Sequence, residues 1–237
     1  GLKQAIITGT SRGLGKAFAE VLLEQGWNVL GISRTHSIDH ESYYPVEADL
    51  SKAGVASQLE LPISPVAEEF LLISNAATLG DIGYLGEISN SSIESSLMLN
   101  VISSSILINR FLAQTSNKKR TLISISSGAS QNAYDGWGIY CSSKAAMDML
   151  MDAIIKEREI RNDSFTRIYS FAPGVIDTEM QEKIRSSNPD QFSKLERFQE
   201  LKQNGQLASA VVVARQCIEL LVNANTFSSG RYDIRNL

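Results

Sequence analysis

The sequence is poor in the residues that staple small or specialised proteins together. Cys141 and Cys217 are its only two cysteines in 237 residues, too few and too far apart for a disulfide framework or a thiolate zinc site. They read as reduced thiols of a cytoplasmic protein. Two histidines, His36 and His40, lie four apart beside Asp39 and Glu41. That segment lacks an apolar helical face to hold a metal clamp, so a polar loop is expected and no metal. Charge of one sign is also scarce: the formal net charge is −4, and Lys118-Lys119-Arg120 is the nearest thing to a basic run. This argues against a nucleic-acid surface. Uninterrupted apolar runs fall short of the ~20 residues that span a bilayer. Strand-like residues begin almost at once where a signal peptide would lie, so no membrane association is expected.

What is present is an ordinary globular composition, 43% hydrophobic and 20% charged, in a chain long enough to bury a core without metal or disulfide support. Short apolar runs recur: 5–7, 29–32, 44–46, 70–73, 121–125 and 167–171. They are continuous rather than alternating, which suits strands covered on both faces. Helical patterns lie between them, with Ile93, Leu97, Val101, Ile108 and Phe111 as one stripe and Ala145, Met149, Ala153 and Ile155 in another. Alternating strand and helix implies one α/β domain with a doubly wound parallel sheet, Rossmann-like. The polar stretch 181–206 stands outside the alternation and reads as two short helices forming a lid.

After the first strand comes Thr8-Gly9-Thr10-Ser11-Arg12-Gly13-Leu14-Gly15, followed by a helix. Glycines there permit a tight turn and a close backbone approach to a pyrophosphate seated on the helix N-terminus. An NADH-preferring fold carries a carboxylate at the tip of the second strand. Here the tip reads Ser33-Arg34-Thr35. Arg34, with Arg12 from the turn, suits a ribose 2′-phosphate, because guanidinium forks match phosphate oxygens; two surface arginines are the competing reading. NADP(H) is the expected cofactor.

Tyr140 and Lys144 are one helical turn apart and project from one face. A free phenol titrates near about 10, and a neighbouring ammonium is expected to draw that value toward working pH. Ser126-Ser127 follow the strand 121–125, at the edge where such sheets bind ligands. With these residues in hand, the chain resembles the short-chain dehydrogenase/reductase family over its whole length. The glycine turn, Asp49-Leu50, Asn75-Ala76-Ala77, Asn100, Ser127, Tyr140, Lys144 and Pro173-Gly174-Val175-Ile176-Asp177-Thr178 fall in that family's order.

The resemblance implies roles. Tyr140 donates a proton to the carbonyl oxygen, Ser127 orients that oxygen, and Lys144 holds the nicotinamide ribose. Asn100 keeps a relay water, unless it is only a helix polar residue satisfied locally. Gly9, Ser11, Arg12, Gly13, Leu14 and Gly15 cradle the pyrophosphate. Asp49 and Leu50 flank the adenine, Asn75 and Ala76 line the cofactor channel, and Pro173, Gly174, Ile176 and Thr178 lie along the nicotinamide.

Within the family, Gly136-Trp137-Gly138-Ile139-Tyr140-Cys141, the run from Phe171 to Gln181, and Leu195-Glu196-Arg197-Phe198 are similar to the branch of sepiapterin reductases and bacterial benzil reductases. That branch implies a ketone or 1,2-diketone substrate, with Trp137 and Met180 as an apolar wall (or as core) and Asp233 toward a substrate amino group. Asp233 sits one residue nearer its glycine than in relatives, and the stretch 51–69 is short for a third helix. A non-catalytic NADPH-binding sensor and an NAD-dependent alcohol dehydrogenase are the alternatives. The resemblance also implies a homodimer or homotetramer built on the helices around 93–111 and 140–159.

Overall fold

The computed structural model describes residues 1–237. Seven strands, β1 (Lys3–Thr8), β2 (Asn28–Ser33), β3 (Tyr43–Glu47), β4 (Glu69–Ser74), β5 (Lys119–Ile125), β6 (Thr166–Ala172) and β7 (Gly230–Asp233), form one sheet. Their order is β3-β2-β1-β4-β5-β6-β7, and every pairing is parallel. Chain order reverses between β1 and β4, so a crevice opens beyond their carboxyl ends, the place where open α/β sheets bind ligands.

Alternate strand residues serve opposite layers, which is why the runs are apolar throughout. Ala5 and Ile7 face the layer of α1 (Gly13–Glu24) and α8 (Ala210–Cys217), whereas Ile6 joins Leu107, Phe111, Met147, Met151 and Ile154 on the other side. Pro45 sits in β3, an edge strand paired only with β2, where a missing N–H disturbs no inner ladder.

The helix after β4 runs as α3 (Asn90–Leu97), a π-helical stretch (Met98–Ser103) and α4 (Ser104–Gln114). This helix, Asn90–Gln114, is long and apolar enough by composition to cross a membrane, although serines interrupt its Leu, Ile and Val so that no unbroken apolar run marks it. Leu107, Ile108 and Phe111 nevertheless bury its face against the sheet. The stripe expected on α5 (Gly138–Ile160) is also corrected. Ala145, Met149 and Ala153 are exposed, and the buried side is Tyr140, Ser143, Lys144, Met147, Met151 and Ile154. Both faces of α5 are apolar, so periodicity alone does not say which one packs inward.

Between β3 and β4 only α2 (Val55–Gln58) is helical. After β6, α6 (Glu179–Arg185) and α7 (Leu195–Gln203) flank a 3₁₀ turn (Pro189–Gln191). This is the polar segment expected as a lid, beginning two residues earlier than the sequence suggested. Its Ile184, Phe192, Leu195 and Phe198 pack with Trp137, Tyr140 and Leu79 into a third apolar cluster.

Candidate active site

The glycine turn is built for close approach. Gly9 and Gly13 have φ of 76° and 57°, the left-handed region that glycine enters freely. At Gly15 a Cβ would fall 2.0 Å from the Gly9 carbonyl oxygen and 2.5 Å from Asn75 Nδ2, so only glycine lets α1 begin against the turn. Asn75 braces this arrangement by donating Nδ2 to the Thr8 and Gly9 carbonyls, while the Asn75 and Ala76 backbone N–H groups donate to Thr8 Oγ1. Arg12, at the N-cap of α1, supplies no side-chain cap, and the first turn has no acidic residue. The leading N–H groups and the positive end of the helix dipole are left for an anion.

A second brace was not legible in the sequence. Tyr43 Oη, Thr10 Oγ1 and His36 Nδ1 form a chain with both links at 2.7 Å, and His36 Nε2 lies 3.0 Å from the Val46 carbonyl. Gly31 makes room for it, since a Cβ there would meet Tyr43 Oη at 2.1 Å. His36 is thus a structural strut, not part of a loose polar loop.

The two arginines behave differently. Arg34 is exposed at the crevice rim beside Asp49 and forms no ion pair. Hydrogen bonds from Ser51 hold the Asp49 carboxyl below its usual range, with the Arg34 charge adding to the effect. Arg12 instead pairs with Glu179 on α6 at 2.6 Å, and both residues border the same crevice as Arg34. The pair is more than half exposed on both sides, and such bridges contribute only about 0–1 kcal/mol.

Ser127, Tyr140 and Lys144 do converge. Ser127 follows β5 and its hydroxyl accepts from the Ala129 N–H at 3.1 Å. Tyr140 and Lys144 rise from the first turns of α5, and Lys144 Nζ lies 5.7 Å from the phenol ring centre. The electrostatics correct the expectation. Burial pushes the Tyr140 phenol up to about 12, opposed by its contact with the Ser127 side chain. Burial also pulls Lys144 down to about 8, opposed by Asp148. Enclosure outweighs any pull of the ammonium on the phenol, and Lys144 Nζ is turned to the Ile125 carbonyl, to which it donates at 2.8 Å. Desolvation penalises each charged form and dominates.

Asn100 lies beneath this group, not on the crevice wall. Its Oδ1 accepts from the Thr78 N–H at 2.9 Å, and its Nδ2 donates to the Thr78 carbonyl at 2.8 Å and to Ser143 Oγ at 3.1 Å. The side chain is thus satisfied by Thr78 and Ser143, partners distant in the chain, rather than within its own helix.

Beyond the phenol the wall is aromatic. Trp137 stacks on Tyr134 and Phe192 at 4.9 and 5.0 Å and meets Tyr140 edge-on at 5.9 Å. It is only 6% exposed and still borders the crevice, with Met180 and Phe198 beside it; core and wall prove to be one place. Asp233 also borders the crevice, but its carboxylate accepts three hydrogen bonds from Arg235, at 2.9, 2.9 and 2.6 Å. It faces Arg235 rather than an open amine site. Tyr134, Phe192 and Arg235 carried no recognisable sequence signal.

The crevice encloses about 1310 Å³, above the roughly 300–1,000 Å³ of a single-ligand pocket. Ser11, Gly13 and Leu14 wall one end, with Asp49 and Leu50 beside them and Ala76, Pro173, Gly174, Ile176 and Thr178 along its length. Gly15 is beneath the floor. A cradle that admits only glycine, an uncapped helix start and a free arginine at the rim fit a dinucleotide.

A short chain dehydrogenase family model matches residues 3–189. The chain belongs to the short-chain dehydrogenase/reductase family. It is 37% identical over 241 residues to a benzil reductase ((S)-benzoin forming) of Bacillus subtilis (strain 168), covering 97% of each chain. It is 34% identical over 260 residues to the sepiapterin reductase of Mus musculus, covering 98% of this chain and 96% of that one. Among solved structures, the KRED1-Pglu enzyme superposes with a TM-score of 0.83 at 24% identity, over 97% of this chain and all of that one, a likeness of fold. As a short-chain dehydrogenase/reductase the chain is an oxidoreductase that uses a nicotinamide cofactor.

Proposed function

We propose that this oxidoreductase is an NADPH-dependent reductase of ketones or 1,2-diketones, with Tyr140 as proton donor. One observation carries the reading: the buried Tyr140 phenol stands beside Ser127 and Lys144 at the aromatic end of a crevice whose other end is a glycine cradle. Burial keeps the phenol in its protonated form at neutral pH, the form that a proton donor must have; the relatives named as reductases favour the direction of reduction.

Bound NADPH supplies the hydride. The α1 N-terminus and residues 9–15 would hold its pyrophosphate, and Arg34 its 2′-phosphate, with Arg12 joining once released from Glu179. Lys144 would bind the nicotinamide ribose from its place on α5. Ser127 Oγ and Tyr140 Oη hydrogen-bond the substrate oxygen, and Tyr140 passes its proton to that oxygen as the alcohol forms. The Lys144 ammonium then stabilises the phenolate left behind. Trp137, Tyr134, Phe198 and Met180 would exclude water as an apolar wall suited to a flat conjugated substrate. The relatives named benzil reductase and sepiapterin reductase support that choice.

Asn100 would serve the relay only through its backbone, since its side chain is engaged. Ile102 and Met149, 45% and 68% exposed on the two long helices, favour a homodimer or homotetramer. The deciding experiment follows NADPH oxidation with benzil and sepiapterin in wild type and Tyr140→Phe. The variant is expected to lose at least about a hundredfold in kcat, the usual scale of a positioned acid, and to keep its NADPH affinity. Undiminished turnover in Tyr140→Phe would exclude this proton donor.

A further inference from the structure

Behind the reacting side chains lies a charged pair that the reaction as described does not use. Asp148 follows Lys144 by one helical turn of α5, so the two side chains share a face. Its Oδ2 lies 3.2 Å from Arg231 Nε, and Arg231 Nη2 donates to the Ser127 carbonyl at 3.3 Å. Both side chains are largely enclosed, 16% exposed for Asp148 and 22% for Arg231. The second carboxylate oxygen, Asp148 Oδ1, is sealed from solvent without a hydrogen-bond partner. A half-satisfied buried carboxylate is costly, so its retention asks for a reason.

We infer that Asp148 and Arg231 are positioning residues for the reduction: Arg231 fixes Ser127 through its backbone, and Asp148 sets a carboxylate behind Lys144. The inference rests on the reading of Ser127, Tyr140 and Lys144 as the reacting set. It joins the two elements that carry them, because the loop after β5 and the helix α5 are both tied to β7 at one guanidinium. The charge also acts in the right direction. Burial disfavours the Lys144 ammonium, and Asp148 offsets part of that loss.

The remaining charged groups around Lys144 leave this role to the pair. Tyr140 is neutral on its own helix, and β5 offers the Ile125 carbonyl, its Lys119 and Arg120 lying at the opposite strand end. On β6, Arg167 bonds the Leu221 and Val222 carbonyls, and on α3 Glu94 is exposed. The π-helical stretch 98–103 and the 3₁₀ turn Gly128–Ser130 carry no titratable residue. On β7, Asp233 is spent on Arg235.

The test is the pH dependence of NADPH binding, measured by calorimetry, together with kcat and KM, in Asp148→Asn, Arg231→Met, Arg231→Lys and the double variant Asp148→Asn/Arg231→Met. Removing the carboxylate deprives the ammonium of its stabiliser, so the alkaline loss of binding moves to lower pH. A shift of about one unit, or tenfold in affinity on that limb, is expected. Removing the guanidinium leaves Asp148 uncompensated, so the limb moves to higher pH while kcat falls severalfold through the loosened Ser127. The double variant returns the limb toward wild type, and Arg231→Lys restores it while leaving part of the kcat loss.

Opposite shifts from opposite charges are not produced by a merely structural pair. Lowered melting temperatures with an unmoved limb and unchanged kcat in both single variants overturn the inference. Should Asp148→Asn fail to fold, Arg231→Met decides alone, by an upward shift or its absence. An inactive Tyr140→Phe with wild-type behaviour in the pair variants sinks only this inference; an active Tyr140→Phe sinks the reading beneath it.

Discussion

Replacing Gly15 by alanine separates two physical effects that ordinarily run together. Gly15 lies in the first turn of α1 with no left-handed backbone requirement, since its φ is not positive. By helix propensity alone, Gly15→Ala would stabilise the chain by about 1 kcal/mol. The structure reverses that sign. The added Cβ would lie 2.0 Å from the Gly9 carbonyl oxygen, 2.7 Å from its carbon and 2.5 Å from Asn75 Nδ2, so the turn must retreat by more than an ångström from where α1 begins. Overpacking of this kind costs roughly 1–3 kcal/mol, or about 2–12 °C in melting temperature for a chain near this size. The displaced segment is the proposed pyrophosphate seat, so NADPH affinity falls by about tenfold or more, each 1.4 kcal/mol being about tenfold.

Thermal melts by circular dichroism and calorimetric titration of NADPH measure both. Gly26→Ala is the control: its φ is 84° with nothing within 4 Å of the new Cβ, so it loses about 1–2 kcal/mol of backbone energy and no cofactor affinity. A Gly15→Ala protein that melts at or above wild type and binds NADPH unchanged would show that the close approach is not what shapes this turn.

Three other perturbations probe the site. Arg34→Asp is expected to weaken NADPH binding by about tenfold or more while leaving NADH binding level or improved, because a charge-assisted phosphate contact contributes about 1.5–3 kcal/mol; equal losses for both cofactors count against a 2′-phosphate contact. Lys144→Met removes a buried base whose folded value, about 8, lies below its ordinary 10.5. Below pH 8 the folded state bears the full penalty of burying the charge, at most about 3 kcal/mol. Between those values the unfolded chain holds more protons, so wild type gains stability relative to the variant as pH rises. Denaturant midpoints that keep a constant difference from about pH 7 to 10.5 contradict that linkage. Phe192→Ala empties a fully buried site stacked on Trp137. It is expected to destabilise by about 3–5 kcal/mol and to raise KM for the carbonyl substrate more than for NADPH, as steady-state kinetics would reveal.

The alternation of elements and the inner strands through 167–171 were legible because both layers demand apolar residues at nearly every position there, whereas the edge strand β3 is exposed at three of its five positions. The last strand was not: Gly230-Arg231-Tyr232-Asp233 is half-buried throughout at a sheet edge and carries no apolar run. The helix 90–114 was readable as a helix, but its π-helical stretch shifts the buried face by a residue, which no regular period anticipates. For the site, the glycine turn, Ser127, Tyr140 and Lys144 were visible through spacing, since turns and one-turn helical pairs are local.

Local spacing by itself determined that a strand, a glycine cradle and a helix follow in order, and that Tyr140 and Lys144 share a face; short-range geometry leaves those outcomes no alternative. Only the tertiary structure decided how the groups are charged and where they point. Enclosure in the folded chain raises Tyr140 and lowers Lys144, Glu179 engages Arg12, and Arg235 takes up Asp233. Desolvation and pairing depend on which distant segments arrive beside a residue, and that is set by the folded chain as a whole.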